Sequence, residues 1–259
     1  MRTSSHRSIW TSRALTLLSI VIVLLIWEFL VRAFNIKQIV LPAPSVILKD
    51  LASSPWWYLE QAWYTLLMTL GGFFAAVIVG VALAVLIVQS RLLENTIFTL
   101  MVGINSVPKV AVAPLFVIWL GTGSAPKIAI SFLIALFAVT IDSVLGLKSV
   151  PQDILDLAKS LRGGRFATLW RIRFPSALPS IFAGMKVAIS LALVGAIVGE
   201  FVSSNRGLGY VILSAQGMFD TPRVFAAILI LAVESVLLFY AIVWIERLTL
   251  PWHASQRGH

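Results

Sequence analysis

Six stretches of the chain stay apolar for about as long as a membrane-crossing helix requires: 14–34, 62–88, 96–120, 127–147, 178–202 and 223–246. About 20 mostly apolar residues reach across the hydrocarbon core of a bilayer. The runs are continuous rather than alternating, which predicts helices and excludes the strands of a membrane barrel. Arg2, Arg7 and Arg13 precede the first run, as they would in a secretory signal. That run nevertheless continues through Trp27 to Phe34 with no small-residue cleavage site behind it, so it is expected to remain as a span. The pattern predicts an all-α integral membrane protein with six transmembrane helices. It reads as one domain, 1–259, with short tails at 1–13 and 247–259.

Composition agrees. Of 259 residues, 59% are hydrophobic and only 12% charged, with a mean hydropathy of +0.96; soluble domains hold about 25% charged residues. The net charge of +9 is explained by orientation rather than by a nucleic-acid partner. With the N-terminus inside, the inner segments carry Arg2, Arg7, Arg13, Arg91, Lys148, Lys159, Arg162, Arg165, Arg171, Arg173, Arg247 and Arg257, 12 of the 20 basic residues. Arg32, Lys37, Lys49, Lys127, Arg206 and Arg223 fall outside, and Lys109 and Lys186 lie deeper within spans. Lys and Arg concentrate on cytoplasmic loops, so both termini are expected in the cytoplasm. The absence of cysteine excludes disulfides, thiolate metal sites and a cysteine nucleophile.

One interval, the loop 149–177 between the fourth and fifth spans, breaks the pattern. In "SVPQDILDLAKSLRGG", Ser149 stands where an N-cap would, Gln152 follows as its capping-box partner, and Pro151 occupies the first turn. Asp153 and Asp156 suit the start of a helix, Lys159 and Arg162 its end. Ile154, Leu157, Ala158 and Leu161 recur as i, i+3, i+4, i+7 and form one apolar stripe, and Gly163 and Gly164 stop the helix. The stripe must be buried, either on this subunit or on another protein. Phe166, Leu169 and Trp170 repeat the period as an interfacial helix, with Arg165, Arg171 and Arg173 toward lipid headgroups. Pro175 and Pro179 are expected to break the chain before span five.

This loop resembles the EAA loop of ABC importer permeases. Asp156-Leu157-Ala158 stands at the E-A-A positions and Ile172-Arg173-Phe174-Pro175 at the I-x-L-P positions; Arg162 stands where a glycine is expected, with Gly163 just after. "NSVPKVAVAPLFVIWLGTGSAPKIAI", "FPSALPSIFAGMKVAISLALVGAIVGEF" and "NRGLGYVI" resemble the nitrate/sulfonate/taurine-type permeases, so the likeness covers essentially the whole chain. The resemblance implies a permease subunit in the bacterial inner membrane that pairs with a second copy. It implies that the EAA-type helix is presented to a cytoplasmic ATPase pair, which holds ATP and Mg, and that an extracytoplasmic binding protein delivers the solute. On that basis Ile154, Asp156, Leu157, Ala158, Leu161, Arg162, Gly163, Ile172 and Pro175 are the ATPase-coupling candidates. No G-x-x-x-x-G-K-[ST] phosphate loop is present in this chain, so no cofactor is expected on it.

Ionisable residues inside spans are costly and point to function. Pro108 and Lys109 at a break in span three, Asp142, Lys186, Glu200 and Glu234 are the translocation-path candidates. Asp142 and Lys186 lie at similar depth and are expected to pair. Span five carries small residues at Ser180, Gly184, Ala188, Ala192 and Ala196, with Gly195 and Gly199 beside them; such stripes predict close helix packing, a path wall or the seam between two copies. A membrane-embedded enzyme is disfavoured, since His6, His253 and His259 all lie near the termini. The competing class is an ion-coupled secondary transporter, which would usually show internal repeats; no convincing repeat relates the two halves.

Overall fold

The structure is a computed structural model that describes residues 5–161 and 163–251. Its helices are α1 (Ser5–Ala33), α2 (Pro44–Ser53), α3 (Pro55–Gln89), α4 (Arg91–Ser106), α5 (Lys109–Leu120), α6 (Ser124–Lys148), α7 (Gln152–Ser160), α8 (Arg165–Thr168), α9 (Phe174–Ser203), α10 (Leu208–Gly217) and α11 (Thr221–Thr249). A π-helical stretch, Leu169–Arg173, joins α8 to α9 without a break. Among the described residues, four helices are long and apolar enough to cross a membrane: Pro55–Gln89, Ser124–Lys148, Arg165–Ser203 and Thr221–Thr249. The pair Leu92–Ser106 and Lys109–Leu120 qualifies jointly but is bent by 95°. The expected first span falls on α1.

Two local expectations are corrected and a third is met. Ser149 does not cap α7. Its hydroxyl donates to Gly146 O at 2.8 Å at the end of α6, Pro151 holds the N-cap position, and Gln152 turns forward to Asp156 instead. Pro175 and Pro179 do not interrupt the chain. Pro175 lies in the first turn of α9, and the π turn just before it widens the helix, with Phe174 N–H bonding back five residues to Leu169 O. A proline ring collides with the carbonyl four residues earlier, and a π turn relieves that crowding. Span three is bent at Pro108, where the break was expected. Val107 is extended, as the residue before a proline prefers, and α5 restarts behind Pro108.

The chain forms two compact units. The first comprises residues up to 59 and 211–229. Here Glu28 of α1 caps α2 from outside: its carboxylate accepts from Ser45 N at 3.0 Å and Ser45 Oγ at 2.8 Å, and pairs with Arg32 at 2.5 Å. Ala43, at the N-cap, has no side chain able to do this. Thr221 Oγ1 donates to Ile39 O, and Trp27 packs on Phe225.

The second unit, 60–210 with residues from 230 on, is built on the antiparallel pair α6 and α9. The small residues of α9 permit this approach. A Cβ on Gly184 would lie 2.8 Å from Asp142 Cβ, on Gly195 2.5 Å from Ser131 Cα, and on Gly199 2.8 Å from Lys127 Cα. Ser131 Oγ donates to Ala192 O at 2.8 Å. Lipid is as apolar as leucine, so close backbone packing rather than hydrophobic expulsion favours such pairs. Around the pair, Phe73 and Ala76 of α3 and Ile242 of α11 complete one apolar cluster with Ala135, Val139 and Ile189. A second gathers Ala84, Ile87, Met101, Val144, Leu147, Leu169 and Ile181.

Candidate functional site

The second unit carries chemistry at both ends of α9. At the α7 end, Asp156 accepts from Gln152 Nε2 at 3.0 Å and Lys159 Nζ at 2.7 Å. Residues three and four apart share a helix face, and the hydrogen bond from the Lys159 ammonium, then that from Gln152, holds the Asp156 carboxyl below the usual carboxylate range. The helix closes where Gly163 N–H returns to Ala158 O at 2.8 Å; a Cβ there would press on that same oxygen at 2.7 Å.

The expected stripe on α7 divides. Leu155 and Ala158 are buried, whereas Ile154, Leu157 and Leu161 are 45%, 60% and 76% exposed. Ala158 therefore belongs to the inner face and Leu155 takes the place the stripe reading gave to its neighbours. Asp156 and Gly163 are exposed, and Arg162 lies outside the described residues. Beyond the loop, Phe166, Trp170 and Phe174 form an aromatic ladder with ring centroids 6.1 and 5.0 Å apart. Leu169 inserts into the cluster of α3, α4 and α6. Ile172 is half-buried and Pro175 exposed. Lys148, at the end of α6, forms an ion pair with Glu94 of α4.

At the other end, about 40 Å along α9 from Arg173 at 1.5 Å per residue, sits a buried polar cluster. Glu200 is 1% exposed. Its carboxylate accepts from Thr65 Oγ1 at 2.9 Å and from Gly209 N at 2.7 Å. Thr65 Oγ1 in turn accepts from Leu208 N at 2.8 Å, and Gln61 Oε1 from Gly207 N at 2.8 Å. Three successive backbone donors at the start of α10 are thus taken by side chains of α3 and α9, a cap supplied from elsewhere in the fold. Gly207 has φ +98° and a Cβ there would fall on the Glu200 carboxylate, so both backbone geometry and space demand glycine. Lys127 is buried as well, and its ammonium donates to Gly123 O at 2.5 Å and Ser203 O at 3.1 Å.

The remaining candidates are scattered. Lys186 does not meet Asp142; it pairs with Glu246 of α11 at 2.6 Å. Asp142 faces α9 at Gly184, and two residues further along a helix is a turn of about 200°, so Lys186 points to another neighbour. Glu234 is buried with neither carboxylate oxygen hydrogen-bonded. Lys109, just past the exposed Pro108, reaches back across the bend to Asn105 Oδ1 at 2.5 Å. Among the described residues, no group of three His, Cys, Asp or Glu is placed to hold a metal.

Residues 72–250 match the family model of the binding-protein-dependent transport system inner membrane component. The chain belongs to that family. It is 34% identical to a probable ABC transporter permease protein of Haemophilus influenzae, over 88% of this chain and 94% of that one. It is 31% identical to the formylaminopyrimidine transport permease protein ThiX of Halalkalibacterium halodurans, over 90% and 93%. The MetNI methionine ABC transporter in an inward-facing conformation is similar in fold, with a TM-score of 0.68 at 17% identity, covering 75% of this chain and 97% of that chain. The protein is thus a multi-pass permease subunit of an ABC importer and not itself an enzyme.

Sequence reasoning about this permease misses Gln61 and Thr65, which read as ordinary polar positions at the start of a span. It also places Lys127 among the loop charges. The only sequence signal for the cluster is the neighbourhood of Glu200 and the glycines of "NRGLGY".

Proposed function

We propose that this permease carries a small polar or anionic solute across the bacterial inner membrane, driven by ATP and Mg held on a separate ATPase pair. The solute belongs to the class of nitrate, sulfonates, taurine, pyrimidine precursors and aromatic carboxylates. Within that class a substituted pyrimidine is the first to try, because ThiX is named for formylaminopyrimidine. An extracytoplasmic binding protein delivers it, and a second copy of the chain completes the path as a homodimer. The whole chain acts as one permease domain of six spans, counting α1 and the bent α4–α5 pair, with both termini cytoplasmic. The break at Pro108 and Lys109 and the buried Glu234 support a path in the second unit, since irregular backbone and carboxyls at membrane depth are tolerated where they line a cavity or pack in protein.

The observation that carries this reading is the row Ile154, Leu157 and Leu161. These apolar side chains stand exposed on a helix already anchored through Leu155 and Ala158, and the Phe166–Trp170 ladder follows in the chain. Asp156 lies within the same α7 surface, with Gly163, Ile172 and Pro175 in the segment that follows. A short helix with an unburied apolar row fits a groove on another protein, here the ATPase subunit. The experiment is gentle extraction of tagged permease from its native membrane, with mass spectrometry of what accompanies it. An ATPase subunit is expected, and is lost in Leu157→Asp. Recovery of intact, transporting permease with no ATPase would sink the proposal and favour an ion gradient as the driving force.

A further inference from the structure

The buried cluster around Glu200 has a position that the importer reading leaves unused. Three observations define it. First, α8, the π turn and α9 form one uninterrupted helix, Arg165–Ser203, whose first turns lie in the segment proposed to meet the ATPase. Second, this helix is bound to α6 along its length. Gly184, Gly195 and Gly199 lie against α6 backbone or Cβ atoms, Ser131 bonds to Ala192 O, and Lys127 bonds to Ser203 O at the far end. Close-packed contacts of this kind have no slack for sliding, so α6 and α9 move together. Third, at the far end the pair is tied to other elements by Glu200, which bonds at once to Thr65 of α3 and to Gly209 at the start of α10.

We propose that Glu200 is the joint through which movement of the α6–α9 pair reaches the turn 204–209 and the first residues of α10. It is a positioning residue for transport rather than a contact for the solute, because both of its oxygens are occupied and its side chain is buried. The proposal rests on the importer reading. A carboxyl group suits this role because its two oxygens accept from a hydroxyl on one side and a backbone N–H on the other. Thr65 extends the joint, since its one oxygen both donates to Glu200 and accepts from Leu208 N–H. Without the carboxylate, the start of α10 keeps Gln61 and Thr65 as partners and stays folded, but it is no longer fastened to α9.

The test uses the permease–ATPase complex in lipid nanodiscs. The chain has no cysteine, so Asn205→Cys carries a single spin label on the exposed turn. Its mobility is read with and without MgATP plus vanadate, alongside ATP hydrolysis. In the Glu200 parent, nucleotide is expected to change the label's spectrum. In Glu200→Ala the label is mobile beforehand and its response to nucleotide falls at least fivefold, while hydrolysis per assembled complex stays within about twofold of the parent. Glu200→Gln, which keeps one carbonyl acceptor, recovers part of the response, and Thr65→Val reproduces the loss if Glu200→Ala assembles poorly. An unchanged nucleotide response in Glu200→Ala and Thr65→Val overturns the proposal. So does a loss of response accounted for entirely by loss of assembled complex in both. If the unaltered permease brings no ATPase with it, the importer reading itself fails and the joint with it.

Discussion

Glu234 is the residue whose surroundings demand the most. The residue is 8% exposed, and neither carboxyl oxygen has a donor. A buried polar group left unmatched costs about 1–3 kcal/mol, so Glu234→Met, of similar length, is expected to stabilise the subunit by that order. Its melting temperature in detergent should rise while transport falls, the pattern of a group retained for function at the expense of stability. A melting temperature lower than the parent's would show that Glu234 has a structural partner after all. The sequence marks Glu234 as costly, because any carboxyl amid apolar residues is. It does not reveal whether a donor meets it, since donors come from other helices.

At the scale of elements, α7 offers a sharp contrast between neighbours two residues apart. Leu155 is buried and Leu157 exposed. Leu155→Asp is expected to destabilise the 152–173 segment, seen as faster proteolysis of that loop. Leu157→Asp should leave stability within about 0.5 kcal/mol, as exposed sites do, and act only on ATPase recovery. Equal proteolysis of the two variants would mean that the row on α7 is packed on its own subunit. The pairing of α6 and α9 makes a second test. Gly195→Val places a branched side chain where even a Cβ lies 2.5 Å from Ser131 Cα. The helices must separate, at a cost of about 1–3 kcal/mol or more, detectable as a lower melting temperature and a reduced yield of folded protein. The close-packing alternative for the small-residue stripe was readable from its spacing; its partner, α6, was not. The period of α7 was readable too. Which side of the stripe faces inward was not, because a 9-residue helix rotates freely in sequence space until Leu155 finds its pocket.

In the second unit as a whole, the Lys186–Glu246 pair ties α9 to α11. Both side chains are largely buried, and removing one partner of such a pair strands the other at a cost of about 3–5 kcal/mol. Lys186→Met and Glu246→Met are each expected to lower the melting temperature clearly, and the double variant to recover most of the loss. Strictly additive losses in that cycle would show that the two charges do not interact.

The sequence by itself determined the helical class, the membrane setting, the positions of the long apolar helices and the amphipathic segment that forms α7. Each of these depends on local composition, because transfer into lipid is decided residue by residue and a helix satisfies its backbone internally. Only the tertiary structure decided that Glu200 meets Thr65, 135 residues away, that Lys186 chooses Glu246 over Asp142, and that Pro175 is absorbed by a π turn. These outcomes depend on the rotation of each helix about its own axis and on which neighbour it packs against. A rotation of one residue, about 100°, exchanges one partner for another while leaving the hydrophobic pattern of the span almost unchanged.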